Sequence, residues 1–385
     1  MKKVILTIAL IVSCFASSLS AFEWGGLVTN NTSLTTKNFK NIDPVDQFNE
    51  VYLWANSSLT KDKSLRFSVE GMYKFSFLRQ SGVNLFNHIL DLNILKLSGN
   101  WTFGNKTLYM DVGRYNYADH ATAYFMQKSD GVNLRFNTKA VNYGLYAGYT
   151  GLQNSFNVIM EDDQNGKNNK RINDNIYNFT YAYVPLMFDV TLNNVGRNSL
   201  GFQGAYFLDP NKIDNSKAYG TLFVQGPMAN IGTYTANLVL GTNNFENLML
   251  FASGSMAFYF NRYFLLNFGA AYSSGDNKIF SAFTPISFVK IANLTKKGDD
   301  PLSDAIVPTI TAVGLFKNVV INVSEKLTMT VPGKKIAVNG LDSTLSLVYN
   351  IFSDLQVGCI GNVHTDFNND TNNSYRIIMN VSFAF

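Results

Sequence analysis

The last eleven residues of the chain, Tyr375–Phe385, constrain its fold more than any other segment. Alternate positions from the end backwards carry apolar or aromatic side chains: Phe385, Phe383, Val381, Met379, Ile377 and Tyr375. The positions between them are mostly small or polar. Because successive side chains of a strand point to opposite faces, this pattern predicts a terminal β-strand with one apolar face and one wet face.

This strand resembles the C-terminal β-signal of bacterial outer-membrane barrels, which ends on Phe after apolar residues at alternate positions. The resemblance implies that the barrel-assembly machinery is a partner and that the protein resides in the bacterial outer membrane. The residues of the assembly signal would be Tyr375, Ile377, Met379, Val381, Phe383 and Phe385.

The N-terminus predicts export. Met1-Lys2-Lys3 is a positive segment, Val4 to Val12 is apolar, and small residues follow as far as Ala21. This order is typical of a secretory signal peptide. We expect residues 1–21 to be cleaved, which leaves 22–385 as a single barrel domain. An alternative is a lipobox that ends at Cys14, with lipid attached to that cysteine.

Composition favours a membrane barrel over a soluble domain. Charged residues make up 15% of the chain, and 31 Phe and 20 Tyr are present. Soluble domains carry about 25% charged residues. The formal net charge of +4 falls to +2 once Lys2 and Lys3 are removed, which is too small to indicate a nucleic-acid partner, and we expect none. Outer-membrane lipid is the expected surrounding.

Period-two segments recur along the whole mature chain. In Leu65–Phe77, apolar residues alternate with Arg66, Glu70, Lys74 and other polar residues. The apolar stretch from Leu248 to Tyr272 is interrupted by Asn261-Arg262, so it predicts a hairpin and not a spanning helix. We predict an antiparallel up-and-down transmembrane β-barrel of about 16 strands, with 14 or 18 as alternatives.

The connections fall into two classes that alternate. Short turns such as Thr60–Ser64 and Ser353-Asp354 are expected at the periplasmic end, together with both termini. Long polar connections, Leu152–Asn175, Asp276–Asp304 and Thr365–Ser374, are expected outside the cell. The apolar segment Phe283–Leu294 would fold either into the pore or over its mouth.

The positions opposite the apolar ones would line the lumen. This assigns charged residues of both signs to the interior: Arg66, Glu70, Lys74, Asp91, Asp111, Arg135 and Arg376. A charge on the lipid side costs about 2–4 kcal/mol near the bilayer midplane, which supports the assignment. These residues would either orient a solute or be solvated without a role in selectivity.

A strand that ends in Gly113-Arg114, a loop of about a dozen residues and a strand that opens with Asp130-Gly131 resemble a motif of porins and substrate-specific outer-membrane channels, including alginate-export-like ones. There the loop folds inward. The resemblance implies constriction residues Arg114, Asp130 and Arg135, with Asp119, His120 and Lys128 on the loop. An ordinary external loop is the alternative. Because Arg114 shares the parity of the lipid-facing positions, it requires a rim location or a bulge at Gly113.

The sequence carries no recognisable catalytic or metal-binding motif, and we predict neither an enzyme nor a cofactor. We expect a porin-like channel for passive diffusion of small polar or charged solutes. One alternative is a surface adhesin or structural anchor that acts through its external loops. A remote alternative is an outer-membrane hydrolase that uses His364 and Asp366. Similarity to general porins leaves a homotrimer and a monomer both open.

Overall fold

The computed structural model describes residues 22–37, 42–150, 160–162, 169–171, 183–210, 212–276, 279–286, 304–331 and 336–385. The predicted signal peptide, with Cys14, and most of the segment from Leu152 to Asn175 lie outside these ranges. Within them, no helix is both long and apolar enough to span a bilayer.

The described chain forms twenty strands, of which eighteen belong to one antiparallel sheet. The strands are β1 (Phe22–Thr36), β2 (Ile42–Ser58), β3 (Leu65–Gln80), β4 (Val83–Phe103), β5 (Lys106–Ala118), β6 (Met126–Asn137), β7 (Val141–Tyr149), β8 (Met160–Asp162), β9 (Asn169–Arg171), β10 (Val184–Val195), β11 (Asn198–Leu208), β12 (Lys217–Met228), β13 (Gly232–Asn243), β14 (Asn247–Asn261), β15 (Phe264–Ser273), β16 (Ala305–Phe316), β17 (Val319–Thr330), β18 (Ala337–Asn350), β19 (Leu355–Asp366) and β20 (Ser374–Ala384). The short strands β8 and β9 form a separate hairpin.

The sheet closes on itself, because β1 pairs with β2 on one side and with β20 on the other. Two backbone hydrogen bonds between Gly26 and Phe385, with N···O distances of 2.9 and 3.0 Å, tie the chain end into the seam. A side chain at position 26 would collide with the Phe385 ring, whose Cζ lies 2.3 Å from the place of a Cβ atom. A closed barrel leaves no unpaired strand edge.

The closed antiparallel barrel is confirmed, but the count of about 16 strands is wrong, and the alternative of 18 is correct. Two short turns of the barrel are not among the connections that the sequence analysis identifies. Ser81-Gly82 connects β3 to β4, and Asn244–Glu246 connects β13 to β14. Such turns are easily read as the interior of one long segment.

The two ends of the barrel differ as the sequence predicts. The end that holds Phe22 and Phe385, which we call the terminal end, carries short turns such as Gly104-Asn105 and Arg262-Tyr263. The opposite end, the loop end, carries the long connections between β7 and β10 and between β15 and β16. An even number of strands places both termini at the same end.

Large apolar side chains are exposed on the outside at every second position. On β20, Ile377, Met379, Val381 and Phe383 are all between 42% and 57% exposed. Exposed aromatic rings gather near the terminal end: Trp24, Phe103, Phe260, Tyr263, Phe316 and Phe352. An apolar band edged by aromatic rings is the signature of a barrel surrounded by lipid. A contiguous apolar surface of this extent is unfavourable in water.

Candidate functional site

The connection between β5 and β6 folds into the lumen. Tyr124, at the tip of this connection, stacks on Tyr219 of β12, with ring centroids 4.1 Å apart and planes 2° apart. The Tyr124 hydroxyl and the His120 backbone N–H both hydrogen-bond to Gln203 Oε1 of β11, at 3.2 and 2.9 Å. Residues 115–129 therefore reach the inner wall of strands that are several positions away around the barrel. We call this segment the inward hairpin.

Gly113 allows the inward hairpin to leave the barrel wall. The pairing of β4 with β5 ends at Leu95 and Arg114, although β4 continues along β3 to Val83. Gly113 has φ of +123°, a conformation that side chains disfavour, and a Cβ atom there would lie 2.0 Å from the Leu95 carbonyl oxygen. Beyond this glycine, β5 and β6 run inside the wall formed by β4.

Charged side chains fill the space between the inward hairpin and β4. Lys128 Nζ lies 2.7 Å from Asp91 Oδ2 and also binds Asn93 Oδ1. On the same face, Arg114 makes two hydrogen bonds to the Asp130 carboxylate, at 3.0 and 2.7 Å. Arg114, Lys128 and Asp91 are all buried. The structure thus brings four of the sequence-predicted residues together as two ion pairs.

The parity of Arg114 now has a physical explanation. Arg114 occupies an outward position on β5, like Met110 and Val112, yet the Arg114 side chain is only 6% exposed. Because the strand lies inside the wall after Gly113, the face that would meet lipid meets β4 instead. Removing one partner from such a buried pair costs about 3–5 kcal/mol, since the other charge is left without compensation.

Asp119, the first residue of the connection 119–125 at the tip of the hairpin, fixes the conformation of that connection. The Asp119 carboxylate accepts hydrogen bonds from the backbone N–H groups of Ala123, Tyr124 and Phe125, the shortest at 2.7 Å. Burial raises the pKa of Asp119, against the opposing effect of these hydrogen bonds. This carboxylate therefore shapes the loop and is not available to a passing solute.

His120 faces a cavity below the hairpin. Its ring stacks on Phe223 at a centroid distance of 3.4 Å. Desolvation and the nearby charge of Arg135 lower the pKa of His120. Both effects favour the neutral form of the imidazole.

A second segment joins the inward hairpin inside the barrel. In the connection between β15 and β16, the Ile286 backbone N–H donates to the Tyr124 carbonyl oxygen at 2.8 Å. The Tyr219 hydroxyl donates to the Thr284 carbonyl oxygen at 2.7 Å, and Lys217 Nζ donates to the Thr284 hydroxyl at 3.0 Å. The sequence leaves residues 283–294 either in the pore or over its mouth; Phe283–Ile286 lie inside the barrel, and residues 287–294 lie outside the described residues.

Together the two segments form one buried aromatic cluster that fills part of the lumen. Its members come from the hairpin, from β7, from Tyr183, from β10 to β15 and from Phe283 and Ile286. Phe125 contacts Phe207 at a centroid distance of 5.1 Å, and Phe251 contacts Phe283 at 5.3 Å. Among the described residues, the cluster has no member on β1 to β4 or on β16 to β20.

The wall that remains open carries charges in opposite pairs. Lys74 Nζ lies 2.9 Å from Glu50 Oε1, and Arg66 lies 2.9 Å from Glu23. Lys96 lies 3.4 Å from Asp111. Arg376 lies 3.8 Å from Asp46 and donates to Ser33 Oγ at 2.6 Å. Glu70 accepts a hydrogen bond from Asn93.

The seven lumen residues assigned from parity thus all make their contacts inside the barrel. Most of their partners were missed: Glu23, Asp46, Glu50 and Lys96. Asp46 and Glu50 share the inward parity of β2, so the same alternation rule finds them once that strand is recognised. The partnerships themselves depend on strand register, which one sequence does not fix.

Hydroxyl and amide side chains cover the lumen side between these charges. Thr235 pairs with Ser255, Thr311 with Ser324, and Thr344 with Asn362, at 2.9, 3.0 and 2.8 Å. These pairs lie side by side on neighbouring strands from β13 to β19. These side chains carry no charge and offer both hydrogen-bond donors and acceptors to the lumen.

The hydrolase hypothesis requires His364 to pair with Asp366, but the structure pairs it with Asp342. Its Nδ1 lies 2.6 Å from Asp342 Oδ1, and Asp342 also lies 3.4 Å from Lys326 Nζ. Asp366 instead accepts hydrogen bonds from the backbone of Asn368 and Asn369 in the following loop. In the part of the chain that the structure describes, no group of three His, Cys, Asp or Glu residues is arranged to hold a metal ion.

Solved structures share this fold. OccK2 (OpdF) of Pseudomonas aeruginosa, in complex with glucuronate, matches with a TM-score of 0.63 and 13% identity over 95% of this chain and 98% of that one. OccK5 (OpdH) of the same organism matches with 0.62 and 10%, over 96% and 99%. OccAB4 of Acinetobacter baumannii matches with 0.62 and 9%, over 96% and 99%.

These neighbours are Occ/Opd substrate-specific outer-membrane porins with eighteen-stranded barrels. The fold of the chain is therefore that of a bacterial outer-membrane porin, and the porin-like resemblance of the sequence is confirmed. No family model and no curated protein matches the sequence. Identities of 9–13% establish the fold alone.

Replacing Gly113 with Ala should displace the inward hairpin. The added methyl group meets the Leu95 carbonyl, and the positive φ becomes strained by about 1–3 kcal/mol. We expect a lower urea concentration at the unfolding midpoint in lipid vesicles and a changed single-channel conductance. Gly361→Ala is the matched control, since nothing lies within 4 Å of its Cβ position. Equal effects of the two substitutions would contradict the role assigned to Gly113.

Proposed function

We propose that the chain is an outer-membrane channel for passive diffusion of small polar solutes, with little preference between cations and anions. The observation that carries this proposal is the pairing of lumen charges. Lys74 with Glu50 and Arg66 with Glu23 place opposite charges within 2.9 Å on adjacent surfaces. Since the two fields largely cancel at the pore axis, neutral and zwitterionic solutes are favoured over ions of a single sign.

Architecture supports passage through the barrel. Around eight strands make a barrel whose interior is filled by side chains, whereas 16 to 18 strands leave an aqueous lumen. The inward hairpin and Phe283–Ile286 narrow that lumen, and the buried cluster to which they belong has no described member on β2 or β3, which carry Glu50 and Lys74. Selectivity then depends on pore width and on the hydrogen-bonding groups along the path.

Single-channel recording of residues 22–385 in a planar bilayer tests this proposal. We expect discrete openings and, under a salt gradient, a reversal potential near zero. Lys74→Gln leaves the Glu50 carboxylate unpaired and should shift the reversal potential toward cation selectivity, by tens of millivolts or less. Glu50→Gln should shift it in the opposite direction, and the double variant should return to the parent value.

A strong selectivity of the parent channel would contradict the paired-charge argument. Protein that is folded, as shown by its heat-dependent mobility on gels, but gives no channel openings would contradict the channel function altogether. The surface adhesin or structural anchor would then become the better explanation.

We also propose that the C-terminal strand is recognised by the barrel-assembly machinery. Phe385 supports this, because its backbone completes the closing seam with Gly26 and its ring lies over that residue. Deletion of Phe385 should lower the amount of folded protein in the outer membrane severalfold. Refolding of the same variant into detergent should be nearly unchanged. Unchanged assembly in cells would contradict the proposal.

A homotrimer is proposed on the basis of a polar patch in the lipid-facing band. Asn30 Nδ2 donates to Asn49 Oδ1 at 2.6 Å, and the Thr32 hydroxyl lies 3.3 Å from Asn30 Oδ1. These residues share the outward parity of Val28 and Leu53, which are 39% and 55% exposed. Amide groups facing hydrocarbon are unfavourable, whereas the same groups on a second copy would satisfy them.

Cross-linking of the protein in its native membrane tests the assembly. We expect a trimeric species that is weakened by Asn49→Leu, because the leucine removes the amide from the contact. Leu347→Ile, on a distant lipid-facing position of β18, serves as the control. A monomer at all cross-linker concentrations would contradict the trimer.

A further inference from the structure

A side cavity of about 310 Å³ opens beneath the inward hairpin on the side of the terminal end. Its walls are the inner faces of β6, β7, β10, β11 and β12, and its roof is formed by Tyr117, Ala118 and His120. A cavity of this size is at the lower limit of small-molecule binding sites.

One lateral row of residues places opposite charges on either side of a glycine. Arg135 of β6 is the register partner of Gly144 of β7, and Gly144 is the register partner of Asp189 of β10. Adjacent strands are 4.7–4.9 Å apart, so the backbones that carry the two charges are roughly 10 Å apart. The Asp189 carboxylate leans over Gly144, with Oδ1 2.1 Å from the place of a Cβ atom. Only glycine leaves this space open.

These two charges differ from the paired charges elsewhere in the lumen. Arg135 hydrogen-bonds to the Tyr117 hydroxyl and interacts electrostatically with Asp189. Within the described ranges, neither Arg135 nor Asp189 is in direct ion-pair contact, in contrast to Lys74 and Glu50. A guanidinium and a carboxylate that face the same cavity across a gap match a molecule that itself carries both charges.

The rest of the lining is uncharged and rich in hydrogen-bonding groups. The next row toward the terminal end runs Asn137, Asn142, Thr191, Gly201 and Phe223 across the same five strands. The Phe223 ring fills the space above Gly201 and carries the stacked His120 ring. Gln203 and Gln225 add two further amides. A polar side chain of a small solute therefore finds amide partners and one aromatic wall.

We propose that this cavity is a binding site for a small zwitterionic solute of the amino-acid class, whose carboxylate binds Arg135 and whose ammonium group binds Asp189. This proposal depends on the proposed channel function in one respect: the solute reaches the site through the lumen. The amide-rich lining favours a polar side chain over an aliphatic one. Occupancy would hold the solute immediately below the constriction, on the path toward the terminal end.

Isothermal titration of the refolded chain in detergent micelles tests the site. The probes are L-glutamine, L-glutaminamide, which lacks the carboxylate, and 4-carbamoylbutanoate, which lacks the ammonium group. We expect L-glutamine to bind at least tenfold more tightly than either analogue, because each analogue leaves one protein charge without a partner. Glycine and L-leucine should also bind, more weakly than L-glutamine.

Three substitutions should remove the preference for the zwitterion. Arg135→Gln should abolish discrimination against L-glutaminamide, and Asp189→Asn should abolish discrimination against 4-carbamoylbutanoate. Gly144→Ala should act like Asp189→Asn, because the methyl group takes the space of the carboxylate. Arg262→Gln, in a turn at the terminal end, is the charge-matched control and should leave binding unchanged. Circular dichroism and heat-dependent gel mobility verify that each variant is folded.

The outcomes separate the site from the channel. Absence of binding by all three amino acids, or equal binding of L-glutamine and its two analogues, overturns the site. Conductance in the planar bilayer would persist in that case if the channel function is correct. Binding of L-glutamine to a barrel that does not conduct would instead support the site and contradict the channel.

Discussion

Closure of the β-sheet between β1 and β20 is the constraint on which the rest of this structure depends. In hydrocarbon there is no water to bind a free backbone N–H or carbonyl group, so a membrane-spanning sheet must have no open edge. Ten register pairs, from Leu27 with Ala384 to Thr36 with Tyr375, join the first strand to the last. Once the sheet is closed, each strand has one face toward lipid and one toward the lumen.

This two-faced geometry distributes the chemistry of the sequence. Most outward positions hold apolar residues, with the Asn30, Thr32 and Asn49 patch as an exception, and the inward positions are free to carry charges, hydroxyls and amides. Lumen charges are stabilised by neighbours on adjacent strands, as in the contact between Lys74 and Glu50. Several of these charges therefore have an opposite charge within 4 Å, whereas Gly144 lies between Arg135 and Asp189 in the strand register. These two residues carry the charges of the binding site proposed above.

The sequence predicts the faces of the strands well and the three-dimensional contacts poorly. Alternation alone places Arg66, Lys74 and Arg376 in the lumen, and the longest connections identify the loop end, although the short turn Ser81-Gly82 lies there as well. The count of about 16 strands is two too low, because period-two alternation shows which face a residue occupies but leaves the boundaries between strands uncertain. The predicted partner of His364 is wrong. Asp366 is close to His364 in sequence, but the pairing of β18 with β19 places Asp342 directly beside it.

The inward hairpin marks the limit of prediction from one sequence. Periodicity shows that Arg114 has the wrong parity for the lumen, and it identifies Gly113 as a possible bulge. It does not show that β5 continues inside β4, because that path depends on the fit of Tyr124 against Tyr219 and of Lys128 against Asp91. Long-range side-chain packing of this kind is decided by the closed barrel and not by local propensity.

The most direct test of this account is proximity cross-linking between the hairpin and the opposite wall. Tyr124→Cys and Tyr219→Cys are introduced together with Cys359→Ser, and the folded protein is treated in lipid vesicles with a short bifunctional thiol reagent. We predict efficient intramolecular cross-linking, because the two rings are stacked at 4.1 Å. Tyr124→Cys combined with Tyr349→Cys on the lipid-facing side should not cross-link. Absence of a cross-link between positions 124 and 219 in folded barrels would place the hairpin outside the lumen and contradict the account.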